Sequence, residues 1–181
     1  TPKPSSAASD VYKRQAVEHS RFFEPGPLWV ALDGRRFLPS VAWSTGFRMK
    51  VLVFSDLHLE FADFQPPSVD ADLVVLAGDI SVRSRGVHWA NEVFDCPVIY
   101  ACGNHEHYGG NVDRTLAKMR EAAAHHVHVL DNQSIVIGGV RFLVATAWTD
   151  YTATGDYRAA MRECAEWMTD FKRIRVGTGY S

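Results

Sequence analysis

The chain has 181 residues, of which 46% are hydrophobic, 12% aromatic and 22% charged, and its formal net charge is -2 at pH 7. At roughly 150 residues per domain, that is one domain or one with an appendage, with enough apolar material for a core. No apolar run approaches the ~20 residues of a membrane helix, no global basic field argues for nucleic acid, and Cys96, Cys102 and Cys164 form no CxxC pair, which fits reduced thiols in a cytoplasmic protein.

Charge is uneven along the chain. Residues 1–48 hold seven Lys/Arg against four Asp/Glu, and residues 49–181 hold twelve against seventeen. The front segment also carries five of the eight prolines and no sustained helix or strand period. Its opening, from Ser5 to Gln15, reads as translated adaptor sequence rather than gene product, and Met49 reads as the natural start. A genuine N-terminal extension is the alternative. The expectation is a non-native or disordered extension over 1–48 and a domain over 49–181.

From Met49 the pattern is strand, loop, helix. Lys50–Ser55, Asp72–Ala77 and Pro97–Cys102 are apolar, β-branched runs that predict three strands of a parallel sheet covered on both faces. Val82–Phe94 predicts a crossover helix. Asn111–His126 predicts another, capped by Asn111. Val127–Leu130 is a short strand. Ser134–Ile137 and Val140–Ala145 flank Gly138-Gly139 as a hairpin. Tyr157–Phe171 predicts a last helix with Met161, Cys164, Trp167, Met168 and Phe171 as its apolar stripe. Trp89, Phe94, Tyr100, Phe142 and Trp148 are expected in the core.

A polar group follows each of the three strands: Asp56-Leu57-His58, Gly78-Asp79, and Gly103-Asn104-His105-Glu106. Ligands of open α/β sheets bind beyond the carboxyl ends of the strands, and neighbouring strands lie only ~5 Å apart. Three such loops can therefore converge on metal ions. Asp56 and His58, two apart, point to one side if the backbone is extended. Carboxylate with imidazole suits manganese, iron or zinc better than calcium. Asp79 offers a carboxylate able to bridge two ions, Asn104 a neutral amide oxygen, and His105 is differently aimed and free to act on substrate. Each block alone has an ordinary reading as a turn; the conjunction, in order and each after a strand, is what points to a metal site.

These blocks resemble the signature of the calcineurin-like metallophosphoesterases, from Met49 to about Asp150. The resemblance implies the N-terminal half of a four-layer α/β/β/α sandwich with a mixed, mostly parallel sheet. It further implies two divalent or trivalent metal ions, Mn2+ foremost, with Fe or Zn as alternatives. By residue matching, Asp56 and His58 bind the first ion, Asp79 bridges, Asn104 binds the second and also touches a phosphate oxygen, and His105 acts on the leaving group or scissile phosphate. The implied reaction is hydrolysis of phosphomonoesters or phosphodiesters by a hydroxide activated between the two ions.

The sequence departs from that pattern in two ways. The family's later histidine blocks have no counterpart, since the eight histidines end at His128. His125, His126 and His128 read as helix-terminal or surface residues, and His107 and His88 as loop or helix-surface residues. Val82 stands where protein Ser/Thr phosphatases carry an aspartate, which disfavours that subfamily. Gly177 to Ser181 reads as a loop, so a fragment of a longer gene is expected, inactive by itself. Asp150 is expected to cap the segment after it. Arg83 and Arg85 have two readings, solvated loop residues or phosphate contacts. The expected substrate is a phosphate ester or nucleotide, with no membrane partner, and nucleic acid disfavoured by the acidic charge of 49–181. The alternative is a truncated, non-catalytic module that binds a metal or a partner.

Overall fold

The computed structural model describes residues 48–177 and 179–180. Arg48 apart, the extension expected over 1–48 lies outside the described residues. In chain order the elements are β1 (Val51–Phe54), β2 (Leu73–Ala77), α1 (Arg85–Val93), β3 (Val98–Ala101), β4 (Gly110–Asn111), α2 (Val112–Ala122), β5 (Val127–Leu130), β6 (Gln133–Ile137), β7 (Val140–Val144), α3 (Tyr157–Trp167), α4 (Asp170–Arg173), β8 (Ile174–Val176) and β9 (Gly179–Tyr180). Single 3-10 turns cover His105–His107 and Thr152–Thr154.

Four strands form one sheet in the order β1-β2-β3-β5, parallel at every pairing. β6 and β7 form an antiparallel hairpin, and β4, β8 and β9 a small mixed sheet. The fold is mixed α/β with a mostly parallel sheet, as expected.

Side-chain alternation along the strands builds a core on each face. Phe54, Val74, Leu76, Val98, Tyr100, Val127 and Val129 point to the face that α1 and α2 cover with Val87, Ala90 and Met119. Leu73 and Ile99 point the other way and meet Val144, with Ile135, Ile137 and Phe142 of the hairpin packed against them. The hairpin turns on Gly138 and Gly139, with φ of 54° and 77°, the paired positive values that a two-residue turn needs. Asn111 caps α2 by accepting from the Arg114 N–H at 3.2 Å. Asp150 accepts from the N–H and hydroxyl of Thr152 and so holds the following turn, as expected.

Several expectations need correction. Val51 and Val53 are 40% and 46% exposed, on β1 at the end of the sheet among the described residues, so that face is not fully covered. The last helix is broken at Met168-Thr169 into α3 and α4, and it buries no residue. Of its expected stripe, Met161, Trp167 and Met168 are exposed and Cys164 and Phe171 half-buried. Trp148 is half exposed rather than core. α2 ends at Ala122, so His125 and His126 lie in the connection to β5 rather than on the helix. His107 is buried, not on the surface.

Leu76 is fully buried at the centre of the helix-covered face. Leu76→Ala is expected to lower unfolding stability by about 2–5 kcal/mol through cavity formation, read as a shifted urea midpoint with unchanged slope.

Candidate metal centre

Parallel strands deliver their carboxyl ends to one side, and there the loops after β1, β2 and β3 are tied together. The Asp56 N–H donates to the Gly78 carbonyl at 3.1 Å, His58 N–H to Asp79 at 3.0 Å, and Leu59 N–H to Ile80 at 2.9 Å. This pairing runs in bent rather than extended backbone. Asp56, His58 and Asp79 have φ of 55°, 48° and 55°. Left-handed backbone is uncommon outside glycine, and Asp and His tolerate it better than most. The expectation that extended alternation aims Asp56 and His58 to one side is thus replaced by a strained turn held by its neighbour.

A buried carboxylate fixes the other two loops. Glu106 has no exposed surface. Its Oε2 accepts from the N–H groups of Gly103 at 2.7 Å and Asp79 at 3.0 Å. Its Oε1 accepts from Ile80 N–H at 2.8 Å, Ser81 N–H at 3.4 Å and the Tyr100 hydroxyl at 2.9 Å. Burial raises its pKa, and the N–H groups of Gly103 and Ile80 and the Tyr100 hydroxyl oppose that rise. Five donors and no acceptor suit the ionised form.

Close approach explains the glycines. Gly78 has φ of +88°, and a Cβ there would lie 3.0 Å from the Gly103 nitrogen. A Cβ on Gly103 would strike the Asp79 carboxylate, 2.8 Å from its Cγ. The Asp79 Oδ1 in turn accepts from the His105 N–H at 2.9 Å.

On this frame one ligand atom each from His58, Asp79 and His105 lies within 4.8 Å of the others. The two imidazoles meet edge-on, with Nδ1 atoms 3.2 Å apart. Glu60 backs both: its Oε1 is 2.6 Å from His105 Nδ1 and 3.5 Å from His58 Nδ1. Burial works to raise the Glu60 carboxyl, and hydrogen bonds from His105, its own backbone and His58 outweigh it, so the pKa falls below the usual carboxylate value. Its Oε2 is buried without a partner. Two imidazoles, a carboxylate and an orphaned carboxylate oxygen beside them fit a divalent transition metal.

Asp56 sits at the rim, its side chain 67% exposed, bonded to the Ser55 hydroxyl, with Oδ1 4.0 Å from His58 Nε2. Asn104 lies on the other side, its amide nitrogen donating to Asp170 Oδ1 at 2.9 Å and to the Tyr108 hydroxyl at 3.3 Å. Tyr108 also donates to Asp170 at 2.6 Å and stacks on His105 with centroids 4.3 Å apart. The His105 ring lies within the three-residue cluster. Buried His107 leaves its Nδ1 without a partner, and burial lowers its pKa.

Sequence reasoning gave no role to Glu60, Glu106, Tyr108 or Asp170. Glu60 extends Asp56-x-His58 by one more two-residue step, and Glu106 closes the third block, so both had a local signal. Asp170 is 66 residues from Asn104 and had none.

A family model described as the calcineurin-like phosphoesterase superfamily domain matches residues 49–170. The chain belongs to this superfamily. No curated protein matches it. The superfamily is one of phosphoesterases, and metal-dependent phosphoester hydrolysis is its general chemistry. Among the described residues no helix is long and apolar enough to cross a membrane.

Gly103→Ala is expected to push Asp79 out of place and weaken Mn2+ binding by about tenfold to a hundredfold, measured by titration calorimetry. Tyr100→Phe removes one of the five donors to Glu106, and a loss of about 1.5–3 kcal/mol in urea denaturation is expected. Glu106→Gln turns an amide toward N–H donors and is expected to cost about 1–3 kcal/mol.

Proposed function

We propose that the chain hydrolyses phosphate monoesters or diesters of small molecules or nucleotides in the cytoplasm, with metal ions held at the strand ends. The observation that carries this reading is the meeting of His58, Asp79 and His105 from three separate strand-end loops in a chain of the phosphoesterase superfamily.

In this reading Asp56, His58 and Asp79 would hold a first ion, and Asp79 and Asn104 a second, with Mn2+ favoured and Fe or Zn as alternatives. When bound, such ions polarise phosphate oxygens and lower the pKa of coordinated water. The chain's own groups supply the rest. His105 gives its proton to the leaving oxygen. Glu60 accepts from that ring, and Tyr108 stacks on it, so the imidazole is held in one orientation. Asp170 and Tyr108 fix the Asn104 amide by its nitrogen, and its oxygen would be the atom that serves an ion or a phosphate. Glu106 keeps the backbones of Asp79 and Gly103 at a set spacing.

A second reading is favoured by the histidines: within this chain none follows His128, so the ligands that the resemblance places in later blocks have no counterpart. The chain would then bind a metal or a partner without turnover.

Manganese-dependent release of nitrophenol from p-nitrophenyl phosphate and its bis ester separates the two. Expected is activity that EDTA removes, that Asp79→Ala lowers to background, and that His105→Ala lowers by about 10²–10⁴-fold in kcat. A wild-type chain that binds Mn2+ and releases nothing establishes the second reading instead.

A further inference from the structure

Beyond the metal centre, across Tyr108, lies a half-open cleft of about 610 Å³. Its wall includes Arg83, Arg85, Lys172, Arg173 and Arg175, with Tyr108, and no acidic residue. These are five of the twelve Lys/Arg of residues 49–181, a segment with seventeen Asp/Glu. They come from two stretches of the chain, the run from β2 into α1 and α4 with β8, and the turn after His107 adds Tyr108 and Gly109 to the wall.

Among the described residues, Arg83, Arg85, Lys172 and Arg173 form no ion pair. Arg83 donates to the Gly109 carbonyl at 2.7 Å, and the Arg173 guanidinium lies over the Tyr108 ring, 5.6 Å from its centroid. Asp170, the acid of α4, accepts from Asn104 and Tyr108. The amino end of α1 opens at the same place. Ser84 makes no side-chain cap, the first turn has no acid, and Arg85 sits there against the helix dipole. A cleft of one sign focuses its field on an incoming anion. Arginine and lysine heads with uncapped N–H groups are the recognised chemistry of phosphate. The volume suits a ligand of nucleotide size.

We propose that this cleft binds a second phosphate group of the substrate, so that the chain acts on small molecules carrying two or more phosphates. The proposal rests on the phosphoesterase reading for the first phosphate. Tyr108 joins the two places, stacked on His105 at the metal centre and lining the cleft beneath Arg173.

The test is calorimetric titration of inorganic tripolyphosphate into the full chain, in EDTA, at about 50 mM and about 200 mM salt, where screening differs. Expected is binding that weakens with salt. The double variant K172A/R173A is expected to weaken it by at least about tenfold, and the charge-keeping K172R/R173K to retain it. Asp79→Asn is expected to lose Mn2+ binding and keep tripolyphosphate binding. Absence of binding by the wild type, or equal binding by K172A/R173A, overturns the proposal. Tighter binding of a single-stranded oligonucleotide through the same two residues overturns it in favour of nucleic acid. Tripolyphosphate binding by a chain that hydrolyses no ester overturns the phosphoesterase reading and leaves the anion cleft standing.

Discussion

The carboxylate of Glu106 is the interaction on which the site depends. It has no exposed surface, and among the described residues five donors surround it. Those donors belong to the loop after β2, the end of β3 and the β3 side chain Tyr100. Satisfying one buried carboxylate therefore sets the distance between two strand ends. Hydrogen bonds to an ionised group are worth about 1.5–3 kcal/mol each, and leaving one unmade in the interior costs more than that bond contributes. The two loops have little freedom to part.

The strained backbone follows from that clamp. Asp56, His58 and Asp79 occupy left-handed conformations that cost free energy for residues with a Cβ. They persist because the β1 loop is bonded to the β2 loop at three successive points and the β2 loop is bonded to Glu106. Gly78 and Gly103 complete the fit, since only hydrogen fits between the two backbones and beside Asp79. Strain, close packing and a buried charge thus coincide at the three loops that carry the donor atoms.

Charge is segregated over a short distance. Asp56, Glu60, Asp79 and Glu106 gather at the strand ends, and five cations gather around the neighbouring cleft. Tyr108 and Asp170 stand between the two groups and touch both sides through His105, Asn104 and Arg173. A phosphorylated molecule meets cation-seeking groups on one side and anion-seeking groups on the other. An overall charge of -2 conceals this division.

Much of this was legible in the residues alone. The three strands, their parallel order, the hairpin and the Asn111 cap rest on apolar periodicity and local turn chemistry, which act within a few residues. The polar blocks after each strand were legible for the same reason, and the family match bears out the resemblance they carried. Their bent backbone was not, because φ at Asp56 and His58 is imposed by hydrogen bonds to residues more than twenty positions away. Nor was the break between α3 and α4, neither of which buries a residue, or the exposure of Trp148. By itself the sequence determined which side chains stand at which strand ends. Only the tertiary structure decided that Glu60 backs both imidazoles, that Asp170 orients Asn104, and that cations from two distant segments share one cleft. Those facts depend on contacts between residues far apart in the chain, and no local pattern encodes a distance between them.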